Sequence, residues 1–196
     1  MIKKLILGLL LLIVVVVAGI CVMAAMQPTD YTVTRSATFN ASPEAVFEQV
    51  NNFHKWEAWS PWAKIDPAMK TTYSGPDSGT GASYAWVGNK DVGEGKMTIA
   101  ESHPSEHIKI DLDFIAPFAA KNVTEFMFKP EGNKTAVTWT MAGKKNFIMK
   151  AMCLFMDMDK MVGNDFDKGL AQLKPVVESA PKPAPASSPQ PVAETK

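Results

Sequence analysis

The sequence predicts an α+β domain in which a long helix lies across the apolar face of a curved antiparallel sheet. Three patterns carry that prediction. Six short β-like runs follow one another between residues 69 and 145, each closed by a turn cluster. Inside the runs apolar and polar residues alternate, as in Ile108, Ile110, Leu112 and Phe114 against Lys109, Asp111 and Asp113, so one face is apolar and the other wet. From about Phe147 to Val177, Ile148, Met152, Phe155, Met156, Val162, Phe166, Leu170 and Leu173 recur at three- and four-residue steps, the period of an amphipathic helix.

The elements follow in order. Residues 5–26, LILGLLLLIVVVVAGICVMAAM, are uniformly apolar and would span about 33 Å as a helix, against a hydrocarbon core of roughly 30 Å. Lys3 and Lys4 precede the block and no basic residue follows until Arg35. The bias predicts a single-pass anchor in the cell (inner) membrane, with a cytoplasmic N-terminus and an extracytoplasmic, periplasmic domain. A signal peptide is the rival, with a weak cleavage pattern at Val22-Met23-Ala24, and would give a secreted protein. Its apolar region ordinarily runs only about 7–15 residues, so the length favours the anchor. Ile20 is too bulky for lipoprotein processing at Cys21.

YTVTRSATF (31–39) alternates as a half-buried strand. In SPEAVFEQV (42–50), Ser42 is placed to cap a helix that Pro43 opens. A second short helical segment, FHKWEAW, is stopped by Ser60-Pro61, because the residue before proline avoids helical dihedrals. The six strands come next, and then the long helix, which Gly163 is expected to loosen midway. Residues 179–196, SAPKPAPASSPQPVAETK, cannot repay the entropy of ordering and are expected to form a disordered tail. The predicted organisation is an anchor over 1–26, a folded domain over 27–178 and the tail.

Composition narrows the function. Twenty basic and twenty acidic residues cancel, which argues against nucleic-acid binding. Cys21 and Cys153 would lie in different phases, so no disulfide framework is expected. His103 and His107 flank HPSEH, where Pro104 makes a turn and denies them the shared helical face of a metal pair. Asp111 and Asp113 read as a solvated strand face, and Asp157, Asp159, Asp165 and Asp167 as the exposed side of the long helix. VGNKDVGEG resembles a phosphate loop only superficially, since no helix follows it. Asn40, Asn122 and Asn133 sit in glycosylation-type triplets. No catalytic set, metal site or cofactor site emerges, and weak inward polar candidates such as Arg35 and Tyr73 are all that an enzyme reading has.

Binding signals are richer. Tyr73, Trp86, Phe114, Trp139 and Met141 point inward from the strands, and Met149, Met152, Phe155, Met156 and Met161 are expected to face them from the helix. By residue type alone these are ordinary core material, and a cavity lining is the alternative.

A resemblance adds to this. WSPWAKIDPAMKTTYSG, GASYAWVGN, GEGKMTI and FMDMDKMVGNDFDKGLAQLK, in this order, are similar to bacterial members of the polyketide cyclase/dehydrase and lipid-transport superfamily, the START-like SRPBCC proteins. The likeness spans about residues 31–177. It implies a helix-grip fold: seven curved antiparallel strands around a long C-terminal helix, with two short helices after the first strand. It also implies a hydrophobic cavity between sheet and helix, and no general catalytic residue. On that footing Trp59, Trp62, Tyr73, Trp86, Phe114, Trp139, Met141, Met152 and Phe155 are the expected lining. Within WEAWSPW (56–62), Trp59 and Trp62 are read as closing the cavity mouth and Trp56 as anchoring the short helix. The expected function is non-catalytic binding of a small hydrophobic or lipid-like ligand, with the membrane as partner through residues 5–26. A cyclase-, dehydratase- or hydrolase-type enzyme using the same cavity, or a partner-binding module with no small ligand that uses the tail or an outer face, are the alternatives.

Overall fold

Hydrophobic alternation and helical periodicity become real elements in the computed structural model, which describes residues 2–179. Helix α1 runs Ile2–Met26 and strand β1 Asp30–Phe39. Helix α2 (Pro43–Val50) and a 3-10 helix (Phe53–Ala58) follow. Then come β2 (Lys70–Ser74), β3 (Ser83–Val87), β4 (Glu94–His103), β5 (His107–Ala116), β6 (Ala120–Glu131) and β7 (Lys134–Lys144). Helices α3 (Phe147–Met152) and α4 (Met158–Glu178) complete the order. Helix α1 is long and apolar enough to cross a membrane, a property that signal sequences share. The expected tail lies outside the described residues beyond Ser179.

All seven strands form one antiparallel sheet in the order β1-β7-β6-β5-β4-β3-β2. Its inner face is fixed by register: Arg35 stands opposite Trp139, Trp139 opposite Phe126, Phe126 opposite Ile108. Helix α4 lies across this face on β1 and presents Phe166, Leu170, Leu173 and Val177, all buried, to the sheet. Helix α2 closes one end, capped by the Ser42 hydroxyl as its sequence predicts.

Register also gives the sheet two ends. At one, α1 enters β1, Asp30 pairs with Lys144, and the β3–β4, β5–β6 and β7–α3 connections meet. At the other lie the β1–α2, β2–β3, β4–β5 and β6–β7 connections, where Glu178 Oε1 of α4 accepts from the Asn40 N–H at 2.8 Å.

Three expectations need correcting. The long C-terminal helix is broken between Met152 and Met158. The Asp157 carboxylate, expected on a solvated helix face, instead accepts from the Lys160 N–H at 3.1 Å and starts α4 as its N-cap. Asp159 and Asp167 are not merely solvated either. The Arg35 guanidinium donates to both Asp159 carboxylate oxygens, at 3.1 and 3.0 Å, and through Nε to Asp167 at 3.2 Å. Gly163, third, does not loosen α4. It is buried, and a Cβ there would collide with the Arg35 guanidinium, so the missing side chain is what admits the clamp.

Gly163→Ala should therefore expel Arg35 from both carboxylates and lower the thermal midpoint. Combining it with Arg35→Ala should add little further loss, because both changes remove the same contact. Full additivity of the two midpoint shifts would contradict this account.

Candidate functional site

The tryptophan cluster WEAWSPW packs around a fourth tryptophan. Asn52 caps the 3-10 helix by accepting from the His54 N–H, which sets the phase of Trp56 and Trp59. Trp56 donates its indole N–H to the Val50 carbonyl at 2.9 Å and Trp59 to that of Gln49 at 3.3 Å. Both present edges to Trp139, with centroids at 6.4 and 5.8 Å. Trp62, half-buried, meets Trp139 and Phe166 edge-on. Trp139 itself lies between Phe126 at 4.7 Å and Phe166 of α4 at 4.0 Å, the latter nearly parallel at 7°. Gly169 permits this approach, because a Cβ there would stand 2.8 Å from the Trp139 ring.

This column fills the space between sheet and α4. Trp59, Trp139 and Met141 are core residues, and Trp56 ties the short helix to the sheet as its position suggests. Among the described residues one buried polar side-chain atom is left over. The Trp139 indole N–H is buried without an acceptor, a costly condition in an apolar interior.

A second aromatic group occupies the β2–β5 half of the inner face. Trp86 packs edge-on against Phe114 at 6.0 Å and stacks on Tyr84 at 5.9 Å, and Tyr84 meets Tyr73 at 5.3 Å. Burial, then Tyr73 and Glu57, pushes the Tyr84 phenol up to about 12, so it stays neutral across the ordinary pH range. Tyr73 stands at the border of this group, partly exposed beneath the His54 ring.

At the α1 end an open cleft of about 530 Å³ separates the start of β1 from the turn between α3 and α4. Tyr31, Val33, Cys153, Phe155, Met156 and Asp159 are among its walls. Tyr31 donates to the Asn122 side chain at 2.9 Å, and burial first, then Cys153, raises its phenol pKa. Of the expected lining, only Phe155 reaches this cleft. It is 75% exposed and Met152 39%, because the break at Asp157 carries α3 off the sheet instead of continuing α4 over it.

Sequence reasoning missed Asn122 and Thr124 as buried inner-face residues. The alternation of Asn122, Thr124 and Phe126 was available to reveal them, but Asn122 drew notice only as a glycosylation triplet. Buried against Tyr31, it is no acceptor for a glycan. HPSEH does form a turn, yet it sets His103 opposite His107, with Glu101 close enough that one ligand atom from each lies within 4.8 Å of the others. The helical test applied to the sequence could not see a pair brought together across a hairpin. Lys109 holds Glu101 at 2.9 Å, and its cation opposes a metal there.

A curved antiparallel sheet gripping a C-terminal helix, with short helices after the first strand, is the helix-grip fold. The chain belongs to the polyketide cyclase / dehydrase and lipid transport family, whose model matches residues 30–178. Among solved structures, a Chromobacterium violaceum protein aligns at TM-score 0.56 with 15% identity, covering 75% of this chain and 96% of its own. A Rhizobium loti protein aligns at 0.56 with 18% identity over 74% and 95%. The Aha1 dimer from Colwellia psychrerythraea aligns at 0.54 with 15% identity over 76% and 96%. At these identities the likeness is one of fold. No curated protein matches the chain significantly.

The Trp139 column yields a stability test. Trp139→Ala should cost about 3–5 kcal/mol in denaturant unfolding, since it removes a large ring between two others. Trp139→Phe keeps a ring between Phe126 and Phe166 and deletes the unpaired N–H, and should cost clearly less than the alanine change because the cavity it leaves is smaller. Equal losses for the two would show that the stack is not what holds α4.

Proposed function

We propose that the chain is a membrane-anchored, non-catalytic binding domain for a small hydrophobic or lipid-like molecule. The observation that carries this reading is the open cleft of about 530 Å³ beside α1, between the start of β1 and the turn before α4, at the edge of an interior filled by aromatic side chains. Phe155 and Met156 stand at its mouth, and Tyr31 and Val33 of β1 supply the sheet side. Trp59, Trp62, Trp139 and Met141 belong to the packed column beneath α4 and Tyr73 to the far border of the sheet, so the binding surface is the cleft itself.

The polar groups near the cleft support binding over catalysis. Tyr31 is engaged by Asn122, and Arg35 by Asp159, Asp167 and the Thr34 carbonyl. A general acid or base needs a group free to exchange a proton with substrate, and these are occupied with one another. Anchoring rests on α1, whose side chains are exposed apart from the end near Ala24 and carry no charge from Leu5 onward. With Lys3 and Lys4 held in the cytoplasm, the domain stands on the outer face.

The hydrophobic core lies wholly between Val33 and Val177, so residues 27–179 contain all of it. That fragment, purified without detergent from its own host, should carry a discrete hydrophobic molecule near one per protein in native mass spectrometry. The same molecule should be displaced by a fluorescent apolar probe. An empty protein that also fails to bind the probe would overturn the reading.

A further inference from the structure

We infer that the α1 end of the domain is seated in the bilayer surface, with the β5–β6 loop and α3 dipping into lipid so that the cleft opens directly onto the membrane. This rests on the reading of α1 as an uncleaved anchor. Of the twelve large apolar side chains exposed outside α1 among the described residues, only Tyr73 and Met127 lie away from the α1 end. Among them Ile115 and Phe118 of the β5–β6 connection and Phe147, Ile148, Met152 and Phe155 on and beside α3 are between 39% and 75% exposed. At the opposite end the turns read GPDSGTG, HPSEH and EGNK, with no large apolar residue. Apolar surface of this size at one pole of a domain marks a contact surface.

What covers it follows from the tether. Asp30, the first residue of β1, is four residues beyond the end of α1, a reach of at most about 14 Å. The interfacial layer is itself roughly 5–8 Å deep on each side of the hydrocarbon, so the start of β1 can stand no more than roughly 6–9 Å beyond the headgroups. Helix α3 also packs on α1 directly. Charge agrees with that placement: between Lys144 and Met156 there are three lysines, Lys144, Lys145 and Lys150, and no acid. Lysines beside apolar and aromatic side chains suit an interface in which the stems lie along the acyl boundary and the ammonium groups meet anionic lipid. The ligand class that fits is an amphiphile already partitioned into the outer leaflet, entering past Phe155 without crossing water.

The test uses the full chain in phosphatidylcholine–phosphatidylglycerol vesicles. With Cys21 and Cys153 replaced by serine, Phe118→Cys, Phe155→Cys and Met127→Cys each carry an environment-sensitive fluorophore. A Cys153→Ser chain labelled at its native Cys21 reports on the anchor. Quenching by spin-labelled lipid should be severalfold stronger at 118 and 155 than at 127, and strong at Cys21. Quenching at Cys21 with none at 118 and 155 overturns the inference and leaves anchor and ligand binding standing. Equal quenching at 127 also overturns it, since the contact would then be unoriented. No quenching at Cys21 removes the anchor and the inference together. Ligand retention is read by mass on the anchor-free fragment, so the two readings fail separately.

Discussion

The contact between Trp139 and Phe166 is the constraint on which the rest of the structure depends. A seven-stranded sheet with one apolar face must be covered, and α4 is the element available to cover it. Parallel stacking at 4.0 Å brings the helix close to the sheet, and this distance is tolerated only because Gly169 adds no Cβ against the indole. Earlier in the helix, Gly163 makes the corresponding space for Arg35, whose guanidinium fastens β1 to Asp159 and Asp167. Two glycines in α4 thus set its height and its position along β1. The WEAWSPW tryptophans close the same column from the side.

The proposed binding function needs an adaptable mouth that a helix fixed so firmly cannot supply, and the packing of the chain changes at Asp157. C-terminal to that cap, α4 belongs to the core. On the other side, α3 and the turn at Cys153–Met156 contribute no fully buried side chain and sit beside α1. Few buried contacts mean a low local cost of opening. The cleft, the exposed apolar rim and the N-terminal helix therefore coincide at the end of the sheet that is least tightly held.

Much of this was legible in the sequence. Alternation in the strands, the Ser42–Pro43 helix start and the stop at Ser60-Pro61 report on local preference, and local preference agrees with the fold at each of them. Trp139 and Phe166 could each be assigned to an inner face, although their stacking could not. The misreadings share a cause. Asp157, Gly163 and the pair Asp159 and Asp167 look like ordinary positions on a helix whose period continues from Phe147 to Val177, because periodicity reports apolar spacing and is blind to a cap within it. Arg35 sits more than a hundred residues away, so nothing local told that Gly163 is a space or that the aspartates have a partner. Met152 and Phe155 inherited an inward orientation from the unbroken helix and lost it with the break.

Native-state hydrogen exchange on lipid-free residues 27–179, resolved along 147–178, tests this division most directly. The account predicts that the amides of α4 exchange with the slowest protons of the sheet, while α3 and the turn before Asp157 exchange orders of magnitude faster. Uniform protection from Phe147 to Glu178 would contradict it, and would mean that the whole C-terminal segment is one clamped element with no separate mouth.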